Sequence, residues 1–213
     1  QIAVFVRRID RNFQYNAFYL EDSKTVTMLA PFMHRETFQS QILKEPFITL
    51  STLGHELYHS LFSPMSPALH SLYDHRGECV AKHYKKSCTK FAIGACASGR
   101  QTFDEDSPDL ESYRLLHSIL QDNCSEQELN AKIEGLETTL EQAFFYYAAS
   151  EYCSRDVERS EELARRDEHS DGNIRVNAAF SLMPEFTKAF QCEEGDRMFV
   201  KQEEACYLFG PNS

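Results

Sequence analysis

The segment TLGHELYHSLF, residues 52–62, places His55 and His59 four residues apart with Glu56 directly after the first. On a helix, side chains at i and i+4 lie about 40° apart, so both imidazoles can direct a ring nitrogen at one ion. The intervening glutamate can reach a water on that ion as a general base. The same residues also describe a polar helix face with two exposed histidines. A catalytic zinc needs a third protein ligand and an open fourth position, and none is local: Phe62 and Met65 stand where HExxHxxGxxH requires Gly and His. Further along, SGRQTFDEDSPDLES (98–112) offers Glu105 and Asp109, four apart near the start of an expected helix. One carboxylate there could bind metal while the other holds a ligand histidine's second ring nitrogen. An acidic cluster at a helix N-terminus is equally ordinary dipole and capping chemistry.

The elements that must position these groups follow from periodicity. Residues 2–6 (IAVFV), 13–20 (FQYNAFYL) and 25–30 (TVTMLA) read as strands of a small N-terminal sheet. From Pro46 the period changes, and Leu50, Leu53, Leu57 and Leu61 mark a helical apolar face, which Pro64 and Pro67 end. His55 and His59 lie off that stripe. Residues 109–122 are expected to be helical, as is 125–152, the latter opened by a Ser125/Glu128 capping box and striped by Leu129, Ile133, Leu136, Leu140 and Phe144. Its aromatic end, Phe144 to Tyr147, is assigned to the core. Residues 154–170 read as an exposed charged helix or loop, and 183–191 as a short helix with Pro184 in its first turn.

A chain of 213 residues, 42% hydrophobic, can bury a substantial core, and its formal charge of -11 argues against a nucleic-acid partner. The one dense basic cluster, Lys82 to Lys90, is read as a solvated face. No run of eighteen apolar residues is present, so no membrane span is expected. The N-terminus, QIAVFVRRIDRNF, has no initiating Met and no signal-peptide pattern, so an internal piece or a processed product is expected. Seven cysteines without a CxxC pair favour a disulfide-bearing secreted or lumenal protein, and the odd count leaves at least one without an internal partner. Cys88 and Cys96 are close enough in sequence to close a local loop.

Six segments in order, NAFY (16–19), GHELYH (54–59), GRQTFDEDSPD (99–109), HSDGNIRVNAAF (169–180), PEFTKAFQC (184–192) and CYLF (206–209), resemble the neprilysin and endothelin-converting-enzyme family of zinc endopeptidases. The resemblance implies a mainly α fold with a small N-terminal β-sheet, the gluzincin (thermolysin-like) catalytic lobe. It implies one zinc per chain bound by His55, His59 and Glu105, with Glu56 activating water and Asp109 orienting a zinc histidine. It also implies that His169 stabilises the oxyanion, that Arg175 holds a substrate carbonyl, and that Asn16 and Ala17 bind the peptide main chain. Without the resemblance, His169 and Arg175 are two solvated charges beside a turn at Asp171 and Gly172. The activity implied is hydrolysis of small peptides on the amino side of bulky apolar residues, outside the cell or in the secretory lumen.

By the same resemblance Cys79 pairs with Cys206, whereas Cys153 and Cys192 pair with a large N-terminal lobe absent from residues 1–213. The chain would then be a single catalytic domain, a fragment or reduced form of the family, completed through Cys153 and Cys192 by that lobe or by a partner chain. A Cys153–Cys192 pair is the alternative, and Cys124 has no counterpart. Two departures stand out. The family continues after its second zinc histidine with Phe-Asp-Asp and paired tryptophans, whereas SLFSPMSPALHSLYDHRGEC (60–79) is shorter and the chain has no Trp. Pro108 stands between Glu105 and Asp109, and a helix beginning at Ser107 would leave Glu105 outside it. These departures support an alternative, an inactive paralogue that binds peptides or proteins as an ectodomain. A structural fragment with an accidental HExxH is a second.

Overall fold

Thr25, Val26, Thr27 and Met28 are all buried and form β3 (Thr25–Met28), whose first three residues are β-branched and suit a packed pleated surface. A computed structural model of the chain describes residues 3–5, 16–29, 44–62, 67–153 and 160–209. The parts of the expected elements that fall on 2, 6, 13–15, 30, Pro64 and 154–159 lie outside those residues. β3 is central, with β1 (Ala3–Phe5) parallel on one side and β2 (Ala17–Leu20) antiparallel on the other. Alternate residues of an antiparallel edge strand turn their backbone groups outward. Because Asn16 pairs its carbonyl with Leu29 N–H, those residues on β2 are Ala17 and Tyr19.

Helix α1 (Lys44–Phe62) carries the HExxH segment, and its leucines do not behave as one stripe. Leu53 and Leu57 pack on the sheet cluster of Ala17, Val26 and Met28, while Leu50 and Leu61 are about half exposed. The fully buried positions are small or polar, Ser51, Gly54, His55, Glu56 and Ser60. Of these, Ser51, Gly54 and His55 meet α3 (Phe103–Asn123), the helix against which α1 packs most extensively, whereas Glu56 lies toward β2. Gly54 permits the approach, because a Cβ there would lie 2.5 Å from Ser112 Oγ. Ser112 Oγ in turn donates to the Ser51 carbonyl at 2.8 Å.

Pro67 begins α2 (Pro67–Phe91) rather than ending α1, as suits a residue with fixed φ and no N–H to lose. α2 presents Val80, Ala81 and Tyr84 to a core shared with Phe103, Leu110 and Tyr113 of α3 and with Phe144 and Phe145 of α5 (Leu140–Ala149). Ile174 and Phe180 of α7 (Gly172–Ser181) and Phe186 of α8 (Pro184–Ala189) complete it. Lys82, Lys85, Lys86 and Lys90 point to solvent, as expected of that basic run. The disulfide Cys79–Cys206 ties the C-terminal segment to α2, and Cys88–Cys96 closes the turn after it. Cys124, Cys153 and Cys192 are free, so Cys153 and Cys192 do not pair with each other.

Residues 125–152 are not one helix. The Ser125/Glu128 capping box is present, but it opens only α4 (Glu126–Leu129). A loop follows, with Gly135 at φ +79° and an isolated bridge between Lys132 and Thr139, so Leu136 is exposed instead of completing a stripe. A second capping box, Thr139/Gln142, then starts α5, whose Phe144 and Phe145 are core while Tyr146 is exposed. The charged stretch forms α6 (Glu161–Arg166), and Pro184 opens α8 as expected. The fold is mainly α with a small N-terminal sheet.

Candidate metal centre

Helix α3 starts at Phe103, four residues earlier than the Pro108 argument places it, and so carries Glu105 in its first turn. Pro108 is tolerated inside the helix, fully enclosed in the core, at the cost of the bond its N–H would have given to the Asp104 carbonyl. Buried Thr102, Asp106 and Ser170 reinforce this helix start. Thr102 Oγ1 and Ser170 Oγ donate to Asp106 Oδ2 at 2.6 and 2.9 Å, which also ties the His169 loop to α3. Burial pushes the Asp106 pKa up to about 8, opposed by those two hydroxyls and assisted by the charge of Asp109.

With α1 and α3 packed through Gly54 and Ser112, three donors converge. His55 Nε2 lies 2.9 Å from His59 Nε2 and 3.2 Å from Glu105 Oε2, and His59 Nε2 lies 3.6 Å from Glu105 Oε1. Two ring nitrogens that face each other so closely require a proton or a cation between them. Four donors at zinc distances of 2.0–2.1 Å define tetrahedral edges of about 3.3 Å, which these three separations bracket. The donor set of two imidazoles and one carboxylate therefore fits a zinc ion in both chemistry and spacing.

Asp109, one helical turn after Glu105, supports the set from behind. Its Oδ1 accepts from His55 Nδ1 at 2.8 Å, so the His55 Nε2 lone pair is directed toward Glu105 and His59. Arg175, on the first turn of α7, donates Nε and Nη2 to the two oxygens of Asp109 at 2.5 and 2.8 Å. Its guanidinium also lies 4.9 Å over the Tyr152 ring, and Tyr152 Oη donates to Asp109 Oδ1 at 3.4 Å. Arg175 is thus part of a buried network and not a solvated charge beside a turn.

The electrostatics follow from this packing. Burial alone would lower the His55 pKa, but Asp109 and Glu105 override it and push it up to about 9. Burial also works to raise Asp109, yet Arg175 and His55 hold it at about 2. Glu105 is held well below the usual carboxylate range, because hydrogen bonds from His169, His55 and His59 outweigh its desolvation. Burial raises the Glu56 carboxyl against the opposing charges of His55 and His59, and a hydrogen bond from the Tyr19 backbone N–H supports its ionised form. The hydrogen bond to Glu105 raises His169, whose Nε2 lies 3.2 Å from Glu105 Oε2 and whose own N–H donates to Asp167.

All nine residues singled out from sequence line one cleft of about 1160 Å³: Asn16, Ala17, His55, Glu56, His59, Glu105, Asp109, His169 and Arg175. Asn16 turns its side-chain oxygen onto the Ala17 N–H at 2.9 Å at the cleft edge. Sequence reasoning missed three contributors: Tyr152 on Asp109, the Tyr19 amide on Glu56, and Glu151, whose carboxylate accepts from Ser51 and Thr52. Only Tyr152 and Glu151 have a sequence signal, their place immediately before Cys153, and that signal carries no chemistry.

Known proteins share this arrangement of elements. The model of the family described as Peptidase family M13 matches residues 16–206. Neprilysin-3 of Drosophila melanogaster is 24% identical over 230 residues, covering 93% of this chain and 29% of that protein. Endothelin-converting enzyme 1 of Mus musculus is 27% identical over 199 residues, covering 79% of this chain and 25% of that protein. Among solved structures, the cryo-EM structure of Mycobacterium tuberculosis zinc metalloprotease ZMP1 in its open state superposes with a TM-score of 0.68 at 19% identity. That superposition covers 92% of this chain and 33% of the other. The chain thus spans between about a quarter and a third of the length of the proteins it matches.

Proposed function

Because the chain belongs to peptidase family M13, we propose that its cleft is the active site of a zinc-dependent metalloendopeptidase acting on small peptides. The observation that carries this reading is the convergence of His55, His59 and Glu105 within zinc-edge distances, with Glu56 on the same turn of α1. His55, His59 and Glu105 would hold one zinc per chain, and zinc when bound supplies Lewis acidity to a carbonyl oxygen and to water.

The chain's own residues do the rest. Glu56 takes a proton from the attacking water and passes it to the leaving amine, and its burial moves its pKa toward the range such transfers need. Asp109 fixes the His55 tautomer, and Arg175 keeps Asp109 ionised. His169, on the cleft wall beside Glu105, donates to the oxygen on which negative charge develops. Arg175 Nη1, which takes no part in the Asp109 pair, reaches a substrate carbonyl. The outward carbonyls of Ala17 and Tyr19 on β2, with the Asn16 side chain, take the peptide main chain as an added strand. The end of the cleft beyond His59 is walled by Phe62, Tyr73 and Phe103, which supports a seat for a bulky apolar side chain there.

The 213 residues act as one catalytic lobe. Free Cys153 and Cys192, the former exposed, support covalent completion by an N-terminal lobe or a partner chain. The two disulfides support an extracellular or lumenal location, and no helix among the described residues is long and apolar enough to cross a membrane. The test is cleavage of a short fluorogenic peptide by the zinc-loaded chain, completed by its partner where one is found. Glu56→Gln is expected to abolish cleavage while zinc stays bound. Undiminished cleavage in that variant would remove Glu56 from its role.

A further inference from the structure

Eight carboxylates and two arginines line the cleft. Three of these acids have cationic or imidazole partners: Asp109 holds Arg175 and His55, Glu105 faces the histidines, and Asp74 pairs with Arg100. Glu151 differs. It sits in the 3-10 turn Ser150–Tyr152 that follows α5, and its partners are hydroxyls, Thr52 Oγ1 on Oε1 and Ser51 Oγ on Oε2, each at 3.0 Å. Among the described residues no Lys, Arg or His lies within ion-pair distance of its carboxylate, and Arg175, whose field reaches it, is committed to Asp109.

Two hydroxyls hydrogen-bond a carboxylate without neutralising it, so a desolvated charge borders the cleft with no counter-charge of its own. Burial accordingly raises the Glu151 pKa. Of its about four acceptor sites two are taken, which leaves two for a donor entering from the cavity. Its position is defined by α1, since Ser51 and Thr52 lie one turn before His55, whereas Phe62 follows His59. The acidic and aromatic ends of the cleft therefore flank the metal ligands, about 16 Å apart along the helix. Glu21, Asp104 and Glu168 also line the cleft and deepen its negative potential, in a chain of net charge -11.

We infer that Glu151, clasped by Ser51 and Thr52, is the floor of a subsite for a cationic side chain, Lys or Arg, of a peptide bound across the metal centre. The inference rests on the peptidase reading and deepens it by naming the substrate class: peptides that carry a basic residue on the α1 N-terminal side of the scissile bond. A purely architectural Glu151, tying the turn to α1 through its hydroxyl contacts, would give no dependence on substrate charge.

The test is binding to the zinc-loaded Glu56→Gln chain by calorimetry. The probes are short peptide pairs identical except for Lys or norleucine at one position, with that position scanned along the peptide. At one position Lys should bind at least about 10-fold tighter than norleucine, and Glu151→Gln should reduce the difference to under about 3-fold with the melting temperature unchanged. Equal or undetectable binding of both probes at every position overturns the subsite, as does a Lys preference that survives Glu151→Gln. Should Glu151→Gln melt early, the comparison within Glu56→Gln alone decides. Cleavage by the unaltered chain is scored separately. A Lys preference in binding without any cleavage refutes the peptidase reading and leaves the subsite standing, whereas cleavage with no Lys preference in binding refutes the subsite alone.

Discussion

Gly54→Ala should damage the metal centre without touching a ligand. An added Cβ would lie 2.5 Å from Ser112 Oγ and 3.2 Å from Ser112 Cβ, where ordinary contact begins at 3.4 Å. Rotating the Ser112 hydroxyl away forfeits its 2.8 Å bond to the Ser51 carbonyl and still leaves the Cβ contact too short. Otherwise α1 must retreat from α3 by up to about 0.9 Å, the difference between 3.4 and 2.5 Å, which is several times the roughly 0.2 Å tolerance of a metal site. Overpacking of this kind costs about 1–3 kcal/mol, and His55 is the next residue along the chain. Chelator-competition titration should therefore show zinc affinity at least about 10-fold weaker, with a lowered melting temperature. Ser112→Gly removes both clashing atoms, so the double variant should recover zinc affinity, with a coupling of at least about 1 kcal/mol in the cycle. A Gly54→Ala chain that binds zinc and melts as the parent does, or a strictly additive cycle, would refute the reasoning.

Arg175→Met removes the cation that neutralises buried Asp109, and stability should fall by about 3–5 kcal/mol in denaturant unfolding, with part of the loss restored by adding Asp109→Asn. His83, held by burial at about 4 against an ordinary 6.5, stays neutral in the folded chain while the unfolded chain takes up the proton. The stability from neutral His83 is thus complete above pH 6.5 and is lost as pH falls through about 4, a change on the order of 3 kcal/mol that His83→Gln should flatten in melts across that window. Disrupting Cys79–Cys206, which closes a loop of 127 residues, should cost about 4–5 kcal/mol in unfolding under non-reducing conditions.

The chemistry was legible where it depends on spacing along one element. The spacing of His55, Glu56 and His59 needs only the helical period, whereas Glu105 and Asp109 read equally as helix-start acids by spacing, and only the resemblance to the zinc endopeptidases singles them out. How those two helices meet was not legible, because it depends on Gly54 fitting against Ser112, and neither residue type announces contact. The leucines of α1 suggest one apolar stripe, yet only Leu53 and Leu57 meet the sheet, since α1 lies between β2 and α3 and buries polar residues on both sides. Pro108 argued for a late helix start. The buried Thr102, Asp106 and Ser170 network starts α3 early regardless, and brings Glu105 into line. The leucine spacing over 125–152 suggests one long helix, but Gly135 and the Thr139/Gln142 pair, itself a helix-start signal, divide it. Glu151 was invisible because its partners lie a hundred residues away in sequence.

The central claim is that two imidazoles and one carboxylate share a single zinc ion, and an anomalous-difference map recorded at the zinc edge from crystals of the zinc-loaded chain tests it most directly. One peak per chain should lie about 2.0–2.2 Å from Nε2 of His55, Nε2 of His59 and a carboxylate oxygen of Glu105. A peak ligated by other residues, or no peak between α1 and α3, would contradict it.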